Sequence, residues 1–143
     1  MRFIITILTM LVSVSALAKP LSYYFEQDVK FDPNIPTPEQ VLGYEVGEWH
    51  VRHDQLVQYM QILAEKSDRM NFKVIGRTHE QRPLVMLTIT APDKLGQVES
   101  IRKAHLARLN GGATDSSKQP AVVWMGYSVH GNESSGSNAS LLV

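Results

Sequence analysis

Ala121-Val122-Val123-Trp124-Met125-Gly126-Tyr127 is a nearly continuous apolar run with no charged side chain and no polar alternation. Such a run reads as a strand covered on both faces, the kind found in parallel sheets flanked by helices. Upstream, the polar run from Ala113 to Gln119 is a loop. Before it, Leu95, Val98, Ile101, His105 or Leu106, and Leu109 form an apolar stripe, which predicts a helix from about Asp93 to Leu109 stopped by Asn110-Gly111-Gly112. Gly96 weakens its first turn. Earlier still, Phe72 to Thr78 and Leu84 to Thr90 flank the polar turn His79-Glu80-Gln81-Arg82-Pro83 and predict a hairpin. Leu56, Tyr59, Met60 and Leu63 recur at i, i+3, i+4 and i+7, which predicts an amphipathic helix from Asp54 to about Arg69. Helices alternating with strands make the fold class a layered α/β domain.

The first 18 residues stand apart from that domain. Met1-Arg2 is a short positive start, Phe3 to Val14 is mostly apolar, and Ala16-Leu17-Ala18 has the small-x-small pattern of a cleavage site, so residues 1–18 read as a secretory signal peptide. The run is shorter than the roughly 20 apolar residues that span a bilayer. Cleavage after Ala18 leaves a product expected in the periplasm or the medium, secreted and with no membrane attachment. Residues 19–47, with Pro20, Pro33, Pro36 and Pro38, form an extended lead-in. Within it Thr37-Pro38-Glu39-Gln40 carries the signature of one short helical turn ending near Gly43. At the other end, Ser137 to Val143 looks like the opening of an apolar helix with no polar face and no partner, and the expectation is a truncated domain.

Composition narrows the function. The 143 residues carry 14 basic and 14 acidic side chains, a formal charge of zero, and no cysteine. Balanced charge gives no field to attract nucleic acid. Disulfide scaffolds and cysteine-ligated zinc modules are excluded, as is a lipidated N-terminal cysteine.

The chemistry-bearing segment is Tyr127-Ser128-Val129-His130-Gly131-Asn132-Glu133, directly after the expected strand. Ligands in open α/β sheets bind outside the carboxyl ends of strands, which is where His130 and Glu133 fall. Imidazole nitrogen with carboxylate oxygen suits Zn²⁺, and Gly131 is expected to let the backbone fold tightly between them. By itself the four-residue spacing is common. The helical zinc motifs need a second His beside or beyond the Glu, and Ser134 follows Glu133. Gly126-x-Ser128-x-His130 misses the nucleophile-elbow pattern and lacks an acid and a His in the required order. Asn132-Glu133-Ser134 and Asn138-Ala139-Ser140 match the glycosylation pattern by accident, because a glycan there blocks the ligands. His50 and His53 have chelating spacing, with solvation or capping as the expected role. His79 and His105 are expected to be exposed, and Trp49 and Trp124 to pack.

Ile75-Gly76-Arg77-Thr78-x-Glu80-x-Arg82-Pro83-Leu84, followed by the apolar run and His130-Gly131-Asn132-Glu133-x-Ser135-Gly136, resembles the N-terminal part of the zinc metallocarboxypeptidases, the family that includes pancreatic carboxypeptidase A. The resemblance covers about residues 50–143 and assigns residues 48–143 to that portion of the domain. It implies an α/β/α sandwich on a mixed sheet, zinc as cofactor, His130 and Glu133 as the first two metal ligands, and a peptide or protein C-terminus as substrate. It also implies that the third ligand, the general base and the substrate-binding arginines lie beyond this chain, which leaves it no catalytic residue of its own and makes it inactive alone. Asn132 stands where many family members have Arg. His-Gly-Asn-Glu also resembles the desuccinylase and aspartoacylase branch, which acts on N-acyl amino acids. A non-catalytic exported binding module is the alternative outside enzymes.

Overall fold

A computed structural model describes residues 18–26, 29–112, 115, 117 and 119–143. The signal peptide read over residues 1–18 lies, apart from Ala18, outside the described residues. A 3₁₀ turn at Leu21–Tyr23 leads to helix α1, Pro38–Leu42. This short helix forms because both its ends are specified locally. Thr37 Oγ1 accepts from the Gln40 backbone N–H at 3.3 Å, and Gln40 Oε1 accepts from the Thr37 N–H at 2.8 Å, satisfying two donors that helix geometry leaves unpaired. Pro38 occupies the first turn, and Gly43 closes the helix at φ 81°, where a side chain is strained.

Helix α2, His53–Lys66, buries Tyr59, Met60 and Leu63 on the expected face. It stops short of Arg69, because Ser67 turns to extended backbone and its N–H closes on the Leu63 carbonyl at 2.9 Å. The Arg69 carbonyl instead accepts from Thr90 N–H at 3.0 Å, at the mouth of the hairpin. Strands β1, Met70–Arg77, and β2, Pro83–Ile89, pair antiparallel from Met70↔Ile89 to Arg77↔Pro83, with Ile75 the extra residue of a bulge between Val74 and Gly76. In the turn, Gln81 takes φ 64° and its carbonyl accepts from the Arg77 guanidinium at 2.8 Å.

Val46, Tyr59, Met60, Leu63 and Leu141 form the core, with Met70, Phe72 and Leu87 of the hairpin packed against it. Helix α2 therefore covers one face of the sheet. The described residues thus hold an α/β arrangement with a two-stranded antiparallel sheet, and the sandwich on a mixed sheet is not formed among them. The missing piece is the expected strand. Residues 121–127 form no strand and pair with no other segment among the described residues, and Val123 and Trp124 are 79% and 75% exposed. A parallel strand takes its hydrogen bonds from neighbours and its burial from helices on both faces. Neither flanks this segment among the described residues, and β-favouring composition alone does not make a strand.

Three further expectations are corrected. The helix over Asp93 to Leu109 is split into α3, Pro92–Leu95, and α4, Val98–Leu109, because Gln97 leaves helical geometry beside Gly96. With no sheet against it, α4 buries no residue, and its stripe ends exposed at Leu106 and Leu109. The last helix, α5, spans Ser134–Ser140 rather than opening at Ser137. Of the apolar residues beyond it, Leu141, 6% exposed in the core, and Leu142 do have a partner, while Val143 stays exposed. Trp49, like Trp124, is exposed instead of packed. No helix among the described residues is long and apolar enough to cross a membrane.

Candidate metal centre

His130 and Glu133 lie between residues 121–127 and α5. Ser128, at φ 59°, turns the chain at the end of the apolar run. The backbone then closes over His130–Glu133, with the Glu133 N–H donating to the His130 carbonyl at 3.0 Å. This turn brings His130 Nδ1 to 2.9 Å from Glu133 Oε1. A turn, and not a strand end or a helix face, is what makes the two side chains meet. Glu133 also stands at the position before the first residue of α5, with no capping hydrogen bond from its side chain.

Gly131 does not carry the tight fold expected of it. Its φ is not left-handed, and a Cβ there meets nothing within 4 Å. The close approach falls on Gly136, where a Cβ would lie 3.0 Å from the Ser128 nitrogen. Without a side chain at that position, α5 packs directly on the backbone that leads into His130.

The His130 and Glu133 side chains are 69% and 58% exposed. An exposed pair of this kind adds at most about 1 kcal/mol to stability, so the fold does not need it. Its donors do suit zinc. Bonds of about 2.0–2.1 Å to nitrogen and about 2.0–2.2 Å to oxygen in a tetrahedral site separate the two donors by about 3.3 Å, so the observed pair needs to open by only about 0.4 Å. Among the described residues no group of three or more His, Cys, Asp or Glu side chains gathers around a point that could hold a metal. The pair is thus two donors, one short of the three protein ligands that a catalytic zinc takes.

The other histidines are engaged separately. His53 Nε2 lies 2.9 Å from the Pro83 carbonyl and ties α2 to β2. His50 is exposed, with Nε2 3.4 Å from Ser134 Oγ, so the two do not converge as chelators. His79 is exposed in the hairpin turn, and half-buried His105 places Nε2 3.1 Å from the Pro120 carbonyl. His50, Ser134, Ser135 and Asn138 line an open cleft of about 400 Å³ with Val46 and Leu142. Near the start of α2, the Arg52 guanidinium hydrogen-bonded to Asp54 holds that carboxyl down at about 2, on a fully exposed surface away from the pair.

The sequence model of the zinc carboxypeptidase family, peptidase M14, matches residues 56–143, more than half of the chain, and the matched span contains the whole His130–Glu133 turn and α5. The chain belongs to the zinc carboxypeptidase family. No curated protein and no solved structure matches it. As a zinc carboxypeptidase family member it falls among the metallopeptidases, a class of hydrolases, and the family is zinc-dependent in general. Gly136 and Asn138 are the residues of this portion of the family that the sequence reading left without a role. A glycine inside a helix was the available signal for the first, since it marks a close backbone approach. The two long-range hydrogen bonds of Asn138 had no sequence signal.

Proposed function

We propose that this chain is a portion of an exported zinc-dependent carboxypeptidase that hydrolyses peptide bonds at the C-terminus of a peptide or protein, with His130 and Glu133 as two of its zinc ligands. The observation that carries this reading is the 2.9 Å approach of Nδ1 to Oε1 within a span matched to the family. The signal-like pattern of residues 1–18 supports export.

Each residue has a defined part. A carboxylate oxygen accepts hydrogen bonds, so Glu133 Oε1 pairs with His130 Nδ1 in the tautomer that carries the proton on that nitrogen. Donating to a metal through Nδ1 requires the other tautomer, with the proton on Nε2. Glu133 supplies a second oxygen donor and negative charge, and the Ser128 turn with the bare Gly136 fixes the backbone that presents both. Zinc, when held there, supplies Lewis acidity that polarises an amide carbonyl and brings the ionisation of water toward neutral pH. The proton-transferring carboxylate, the third ligand and the groups that grip a terminal carboxylate come from protein outside this turn, and the 143-residue chain by itself is inactive.

A peptide-hydrolysis assay of the chain with added zinc should show no turnover above buffer. Turnover that His130→Ala abolishes contradicts the incomplete site. In a longer protein that carries these residues, Glu133→Ala should remove zinc and activity together, and stoichiometric zinc in that variant sinks the ligand assignment.

A further inference from the structure

Glu133 needs a rigid support if it is to hold a metal, because its own side chain is exposed and α5 itself buries no residue. Besides Leu141 and Leu142 past its end and the close approach of Gly136 to the Ser128 backbone, the helix is held chiefly by the polar contacts of Asn138. Asn138 Oδ1 accepts from the Val51 N–H at 3.0 Å, and Asn138 Nδ2 donates to the Trp49 carbonyl at 3.1 Å. One side chain thus grips the backbone on both sides of His50, across 87 and 89 residues of sequence. The strap so held presents His50 Nε2 to Ser134 Oγ, the residue next to Glu133. A planar amide that donates and accepts at once fixes orientation as well as distance, because both hydrogen bonds are lost if the helix rotates.

We infer that Asn138 is a positioning residue for the metal centre: by latching Trp49 and Val51 to α5 it sets the angle at which the helix presents Glu133 to His130, with His50 against Ser134 as its second contact. This inference rests on the zinc-ligand reading of the pair. The latch lies among groups that touch neither donor, so it acts through the backbone of α5. Outer groups that orient ligands typically account for 10–100-fold in metal affinity. The single-sided Asn138→Asp, which keeps the acceptor for Val51 and lacks the donor for Trp49, separates orientation from mere tethering.

The test is zinc affinity of the full chain, measured by competition with a chromophoric chelator at a temperature where far-UV circular dichroism shows each variant folded. Asn138→Ala should weaken zinc binding by about tenfold, with Asn138→Asp between it and the wild type. If Asn138→Ala does not fold, Asn138→Asp decides: it keeps the acceptor for Val51, loses the donor to Trp49, and should still weaken binding measurably. Unchanged affinity in the folded Asn138 variants overturns the latch while leaving the metal centre standing. Zinc binding that is absent in the wild type, or untouched by His130→Ala, removes the centre and the latch with it.

Discussion

Replacing Leu141 by Ala tests whether α5, and with it Glu133, is anchored in the core or merely lies beside it. Leu141 is 6% exposed and packs with Val46, Tyr59, Met60 and Leu63, drawing the helix end, the lead-in and α2 together. The substitution removes three carbons, worth about 2.4 kcal/mol at roughly 0.8 kcal/mol per buried group. A cavity adds to that, yet no side chain in this core is fully buried, so the surroundings can close on the space. The expected cost is about 2–3 kcal/mol, in the lower part of the range for buried Leu→Ala changes. Urea unfolding followed by far-UV circular dichroism measures it, with Val143→Ala as the control, since that side chain is exposed and should change stability by less than about 0.5 kcal/mol. A Leu141→Ala variant indistinguishable from Val143→Ala refutes the anchoring.

Thr37→Ala removes half of the capping box of α1 and should lower stability by about 1 kcal/mol in the same titration; no loss means that burial of Pro38 alone holds the helix. Burial pushes the Tyr59 hydroxyl up to about 12, while the unfolded chain ionises near 10. Because the folded state resists ionisation, that contribution is intact below pH 10 and is lost as pH climbs toward 12, so Tyr59→Phe should flatten the alkaline fall in the unfolding midpoint; an identical fall in the variant contradicts the assignment. Gly136→Ala should push α5 off the Ser128 backbone and weaken zinc binding more than Gly131→Ala, and the reverse order of effects counts against the packing described. Trp124→Ser should reduce binding of a hydrophobic dye without shifting the unfolding midpoint, and a large midpoint shift means the ring is packed after all.

What the sequence made legible is what local chemistry determines. The box around Thr37 and Gln40, the inward face of α2 and the hairpin all depend on residues a few positions apart, and each forms as its pattern predicts. Residues 121–127 show the limit. Their composition asks for neighbours on both sides, and a strand exists only when those neighbours are beside it. The end of the α4 stripe fails for the same reason, since among the described residues no surface opposes Leu106 and Leu109 and both stay exposed. At the site, the three-residue spacing of His130 and Glu133 was readable, whereas its support was not. Gly131 looked like the pivot because it lies between His130 and Glu133, but the steric demand sits at Gly136, three residues past Glu133. Asn138 reaches 89 residues back along the chain, a pairing that only the folded arrangement reveals.

The most direct measurement is a zinc titration of the chain followed through the imidazole nitrogens by ¹⁵N NMR. His130 should respond first, with Nδ1 taking the metal and Nε2 keeping the proton, and the response should vanish in Glu133→Ala. A first response at His50 or His53, or a His130 signal that ignores zinc, contradicts the shared site on which this account of the protein rests.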